Sequence, residues 1–308
     1  MKTKPALRPT LAPALILPIG LLAMSASAIL IRLARSASAP ALVIAAYRLS
    51  LASLVLLPYV LLRHRADLVR LARRDWLAAL TSGAFLGLHF ATWISSLDYT
   101  TIAASVVLVT TAPLWVALAS RLFLGEQLGR PVVIGLMLAL TGGAIIATDG
   151  SGCLAGSACD RPLLGDLLAL VGAIAYSGYL LLGRRLRASL SLAPYVFVVY
   201  STGAVVLLAI TALSGVSLTG QPAPYPVEAL AWIALLAIGP QLIGHSSINY
   251  ALRYLPPTFI AIVTLGEPIG ASVLAFLLLR ESPAAATWFG GALILIGIVI
   301  AGRRSNAP

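Results

Sequence analysis

Charge is what this sequence has least of. Only 10% of its 308 residues are Asp, Glu, Lys or Arg, against about a quarter in a water-soluble domain. Carboxylates are rarer than cations, 10 against 21. With 60% hydrophobic residues and a mean hydropathy of +0.98, a soluble globular domain is excluded and a lipid-embedded chain remains. The two cysteines, Cys153 and Cys159, share one Gly/Ser-rich loop. They are too few for a disulfide scaffold, and whether they pair stays open. The apolar runs hold no Asp/His spacing for a metal and no nucleophile beside a base, so neither a metal site nor an enzyme is expected. A P-loop is absent, which excludes ATP hydrolysis on this chain and leaves no cofactor to expect. The net charge of +11 would suit nucleic acid. The arginines, however, lie in short caps between apolar runs, where membrane orientation accounts for them and nucleic acid is not needed as a partner.

What is present is apolar length. Runs of about 20 residues, enough to cross the hydrocarbon of a bilayer, recur ten times, near 11–33, 40–62, 76–97, 101–124, 130–149, 164–183, 193–214, 227–250, 257–279 and 284–302. They are expected to be helices, since lipid offers the backbone no hydrogen-bond partners. The first run is long enough to span by itself, so no cleavable signal peptide is expected. Lys2, Lys4, Arg8, Arg63, Arg65, Arg70, Arg73, Arg74, Arg121, Arg130, Arg184, Arg185, Arg187, Arg253, Arg303 and Arg304 would all face one side. Arg32, Arg35, Arg161 and Arg280 would face the other. This bias puts both termini in the cytoplasm.

The chain also repeats itself. Leu97, Tyr99, Pro113, Glu126, Gly135 and Gly142 return without a gap, 155 residues later, as Leu252, Tyr254, Pro268, Glu281, Gly290 and Gly297. Five runs per half is an odd number, so the second half would insert upside down. The flanks agree: Asp98 matches Arg253, while Arg121 and Arg130 match Phe276 and Ala285. The expectation is an all-α integral membrane protein of ten transmembrane helices in two inverted-topology five-helix repeats. Residues 1–150 form the first repeat, 151–160 an extracytoplasmic linker and 161–308 the second. Such repeats suit alternating access to a midplane site.

Polar side chains inside hydrocarbon are costly and mark candidate function. His89 and Trp93 lie four apart on one helix face, as do Gln241 and His245. Thr110, Tyr176, Tyr179 and Asn249 complete the expected lining of a substrate cavity. Glu267 and Arg48 are the lone acid and the lone base well inside their runs. With His89 and His245 they are the candidates for proton or charge coupling, although each could instead serve an internal pair. Pro113, Pro240 and Pro268 are candidate kinks for gating. Glu126 and Glu281 fit short turns at helix exits.

The pattern of Pro113 through Leu124-Gly125-Glu126, then Gly135 and Gly142, resembles the EamA-type transporters of the drug/metabolite transporter superfamily. So does that of Gly266-Glu267-Pro268 through Arg280-Glu281, then Gly290 and Gly297. Tyr47-Arg48 is similar to that family too, while Arg280 stands where a Gly is usual. The resemblance implies ten helices around a central cavity and movement of small metabolites, commonly export. His89, Trp93, Tyr99 and His245 look most like the YddG-type aromatic amino-acid exporters.

The expected protein is therefore a multi-pass secondary transporter of a bacterial cytoplasmic (inner) membrane. It would export amino acids, aromatic or otherwise apolar, by alternating access. A zwitterion needs few charges from its site, and this chain offers few. A sugar-phosphate carrier would need several intramembrane cations, and a polycation exporter several carboxylates. The alternative is a drug/metabolite:proton antiporter for amphipathic compounds, with a membrane enzyme or a channel more distant. The partners are a small-molecule substrate and the lipid bilayer, with a monomer as the working expectation.

Overall fold

The computed structural model describes residues 13–100, 102–125, 127–147, 160–220, 223–280 and 285–302. Glu126, Glu281, Cys153, Cys159 and the terminal Lys and Arg residues lie outside the described residues. Every regular element among those described is helical, as a chain without water to solvate its amides requires. The first half comprises α1 (Pro13–Ser36), α2 (Ala41–Arg63), the short α3 (Arg65–Val69), α4 (Arg73–Ser96), α5 (Ile102–Val109), α6 (Ala112–Leu124) and α7 (Arg130–Ala147). The second comprises α8 (Pro162–Arg187), α9 (Leu192–Leu213), α10 (Val227–Leu236), a π-helix (Ala237–His245), α11 (Ser246–Ala251), α12 (Pro257–Thr264), α13 (Glu267–Leu279) and α14 (Ala285–Gly302).

Nine of the helical stretches among the described residues are long and apolar enough to cross a membrane. The remaining expected span, 130–149, is the shorter apolar helix Arg130–Ile146. Two spans are not continuous. α5 stops before Thr110-Thr111 and α12 before Leu265-Gly266, positions that are 155 residues apart. Tight three-residue bonds carry the chain through both breaks. Thr111 N–H donates to the Leu108 carbonyl at 3.2 Å and Gly266 N–H to that of Val263 at 2.9 Å, so few amides are left bare. Pro113 and Pro268 are thus not bends within one helix. They sit in the first turn of α6 and α13, where a missing N–H costs least. Pro240 falls inside the π-helix, whose wider winding accommodates a ring that would strike the preceding turn of an α-helix.

Helices pack reciprocally. α1 packs on the π-helix and on α13, while α8 packs on α4 and on α6; α2 meets α9 and α7 meets α14. Glycines set the closest approaches. A methyl on Gly135 would strike the Gly297 carbonyl, and one on Gly142 that of Gly290. The four glycines are those spaced 155 residues apart in the sequence, 135 and 142 against 290 and 297. Gly125 closes α6 in the left-handed region at φ 67°. Its counterpart in the second half, Arg280, takes the same conformation at φ 60°, where a Cβ is strained.

Arginines tie the helix ends. Arg35 at the end of α1 donates to Asp98 at 2.7 Å, a partly exposed ion pair. Arg184 donates to the Leu252 carbonyl at 2.7 Å and Arg187 to that of Asn249 at 3.0 Å. Arg187, which sequence reading assigned to a loop, belongs instead to the long α8 and is 2% exposed. A cation at the carbonyl end of α11 complements the helix dipole. Between α2 and α3, His64 Nδ1 meets the exposed Asp67 carboxylate at 2.8 Å. That bond holds the Asp67 carboxyl below the ordinary carboxylate range.

Candidate functional site

A cavity of about 90 Å³ lies where α1, α2, α4, α8, the π-helix and the two broken spans converge. One side of its wall is aromatic: His89, Phe90, Trp93 and Tyr176 face it, with Met24, Val109, Ala112, Pro113 and Leu265 supplying further apolar surface. Polar contributions come from Ser27, Arg48, Thr110, His245, Thr264 and Glu267. Both helix breaks, at Thr110 and Leu265, open onto it.

The aromatic wall is held from behind. His89 Nδ1 lies 2.9 Å from the Gly172 carbonyl of α8, so that nitrogen carries the proton. Gly172 eases this approach, since a Cβ there would come within 3.2 Å of both Thr92 Oγ1 and Trp93 Cβ. The His89 ring stacks on Trp93 at 5.7 Å and leans on Tyr176 at 5.0 Å. Phe90 continues the layer, its ring edge-on to His245 at 5.4 Å. The two histidines, from α4 and the π-helix, thus reach one wall.

Arg48 is held from two sides. It is 1% exposed. Its guanidinium carbon sits 4.4 Å over the Phe90 ring, a cation–π arrangement. Its Nε donates to Gln241 Oε1 at 2.9 Å. Gln241 comes from the π-helix, whose remaining residues run on to His245 and α11. The Gln241 carbonyl accepts from the Tyr200 hydroxyl at 3.3 Å. Asn249 Nδ2 donates to the Tyr179 hydroxyl at 2.5 Å and to the His245 carbonyl at 2.8 Å.

The expected site residues therefore divide into two layers. His89, Trp93, Thr110, Tyr176, His245, Arg48, Glu267 and Pro113 line the cavity. Tyr179, Gln241 and Asn249, expected there as well, do not. Each is fully buried behind the wall and bonded to a neighbour through one side-chain polar atom, while Gln241 Nε2 and Asn249 Oδ1 have no partner. Pro240 and Pro268 stand outside the lining, in the π-helix and beside Glu267. Sequence reading passed over Met24, Ser27 and Phe90. Only Ser27 carried a signal, as a polar residue in an apolar run.

Four buried polar atoms of the lining have no hydrogen-bond partner: Arg48 Nη2, Trp93 Nε1, the Tyr176 hydroxyl and His245 Nδ1. Such groups are rare in folded proteins and each costs about 1–3 kcal/mol. Arg48 and Glu267 make no ion pair within 4.0 Å, although both line the cavity. Among the described residues there is no cluster of His, Cys, Asp and Glu that could hold a metal.

Comparison with known proteins agrees with this architecture. The model of the EamA-like transporter family matches twice, over residues 12–148 and 163–303. The pseudopaline exporter CntI of Pseudomonas aeruginosa is 25% identical over 272 residues, covering 88% of this chain and 89% of that protein. The "Probable terminal-alkyne amino-acid exporter" of Streptantibioticus cattleyicolor is 28% identical over 200 residues, covering 65% of this chain and 63% of that protein. A solved crystal structure superposes with a TM-score of 0.76 at 21% identity, covering 96% of this chain and 97% of its own, a likeness of fold alone.

Proposed function

The chain belongs to the EamA-like transporter family, and from that premise we propose that it exports amino acids, aromatic or otherwise apolar, across a bacterial inner membrane. The observation that carries this reading is the cavity itself. An aromatic wall with a few unpartnered donors suits a small amphipathic molecule. One of the similar proteins is named for amino-acid export. The layered rings of His89, Phe90, Trp93 and Tyr176 favour an aromatic or apolar side chain, in keeping with the YddG-type resemblance.

Alternating access between two inverted five-helix repeats is the mechanism we propose. It is supported by the double family match, the reciprocal helix packing and the helix breaks at equivalent positions beside the cavity. A break lets each half-helix tilt without unmaking a continuous hydrogen-bond ladder. With both termini cytoplasmic, a fluorescent reporter that matures only in the cytoplasm should glow when fused after Arg304. The same reporter in the Gly150–Gly156 loop should stay dark, and the opposite pattern refutes the topology.

Transport itself is tested by efflux of a panel of labelled amino acids from proteoliposomes. Release of aromatic or apolar amino acids above protein-free vesicles is expected; release of none discards the amino-acid reading. A second reading, antiport of amphipathic compounds against protons, draws on Glu267 and His245, two titratable groups in the cavity lining. It requires efflux only when a pH gradient is imposed.

A further inference from the structure

We infer that Arg48 and Glu267 read the two ends of an α-amino acid head group, the guanidinium taking the carboxylate and the Glu267 side chain the ammonium. The assignment rests on the amino-acid reading above and adds to it which chemical groups the substrate must carry.

The argument begins with what lines the cavity. Apart from the histidines and the Tyr176 phenol, Arg48 and Glu267 are its only ionisable side chains among the described residues, and they are of opposite sign. They come from different halves of the chain, Arg48 from α2 and Glu267 from the first turn of α13. They share one cavity and yet do not close on each other within 4.0 Å. Two opposite charges brought out of water and left apart are unfavourable unless something stands between them. A zwitterion supplies both missing partners at once and adds no net charge to the site. A lone amine or a lone acid satisfies one and leaves the other bare.

Arg48 is built for this task rather than for packing. Gln241 holds Nε at 2.9 Å and Phe90 supports the guanidinium face at 4.4 Å. That fixes the plane of the fork while Nη2 keeps no partner. A guanidinium with its orientation set and a donor free is pre-organised for a carboxylate. Gln241 is accordingly a positioning residue. Thr110 and Thr264, beside the two helix breaks, border the same cavity. Trp93 Nε1, also unpartnered, is a second donor on the aromatic side.

The test measures competition against efflux of labelled phenylalanine from proteoliposomes holding the wild-type protein. The competitors are unlabelled phenylalanine, phenethylamine, which lacks the carboxylate, and 3-phenylpropanoate, which lacks the amine. Phenylalanine should compete at least tenfold more strongly than either analogue. In Arg48→Gln the preference over phenethylamine should collapse toward one, and Arg48→Lys should restore part of it. In Glu267→Gln the preference over 3-phenylpropanoate should collapse instead. Gln241→Leu should weaken the preference over phenethylamine while leaving that over 3-phenylpropanoate intact. A preference ratio is insensitive to how much protein is folded, and the wild-type comparison needs no variant at all. Efflux with equal competition by all three compounds overturns this assignment and leaves amino-acid export standing. Wild-type vesicles that release no amino acid overturn both.

Discussion

Gly142 of α7 and Gly290 of α14 face each other so closely that a methyl group on either would strike the other's carbonyl oxygen. The two helices therefore touch backbone to backbone, in the manner of small-residue contacts between membrane helices. No flexible side chain is available to yield. Gly142→Val should destabilise the protein by about 1–3 kcal/mol, the usual cost of overpacking. The check is a thermal melt in detergent. Gly143→Val serves as the comparison, because a Cβ at Gly143 comes no nearer than 3.8 Å to another side chain. Equal melting of the two variants would refute the close contact.

Arg280 is a position where the sequence can be improved. It holds φ at 60°, the conformation that Gly125 holds at 67° in the first half. A left-handed residue with a Cβ costs about 1–2 kcal/mol, part of which glycine returns through its floppier unfolded chain. Arg280→Gly should raise the melting temperature, with transport unchanged because Arg280 is exposed and away from the cavity. A lowered melting temperature would mean that its side chain contributes more than the strain costs.

His89 and Trp93 form the stacked face of the cavity. Replacing either with Ala removes an aromatic contact worth about 0.5–1.5 kcal/mol, which corresponds to a slowing of about twofold to thirteenfold. Initial efflux rates in proteoliposomes, normalised to folded protein, report this. Normal flux in both variants would take the stacked pair out of the substrate path.

Acid should act at the first turn of α3. The His64 bond depresses the Asp67 carboxyl below the usual carboxylate range. A group whose folded value is lowered contributes its stabilisation above the unfolded value and loses it as pH falls through the folded one. The His64–Asp67 contact should thus be intact at neutral pH and fade only in acid, below the ordinary range of an aspartate. The carboxyl ¹³C resonance of Asp67 should titrate at lower pH in wild type than in His64→Gln. Coincident titrations would remove the contact from solution.

Much of this fold could be read from the sequence because lipid enforces one solution. A run such as 193–214 must be a helix, and α9 spans Leu192–Leu213. Charge was a less faithful guide. Arg187 looks like one more loop cation, yet α8 carries it inward to the Asn249 carbonyl, a long-range contact with no local mark. His89, Trp93 and His245 stood out as polar or amphipathic groups in apolar helices, and the cavity contains all three. Phe90 could not stand out, since an apolar residue among apolar residues carries no sign of facing a guanidinium. Gln241 and Asn249 were misplaced for a related reason. The α period assigns faces wrongly where the winding changes, between Ala237 and His245.

That change of winding leaves slack in the chain. Each turn of the π-helix closes over one residue more than an α turn does. Removing a single residue between Ala237 and His245 would tighten the segment toward α geometry while Leu236 and Asn249 kept their present faces. The same deletion in the regular α4 would swing every later residue by about 100° and turn His89 or Trp93 away from the cavity.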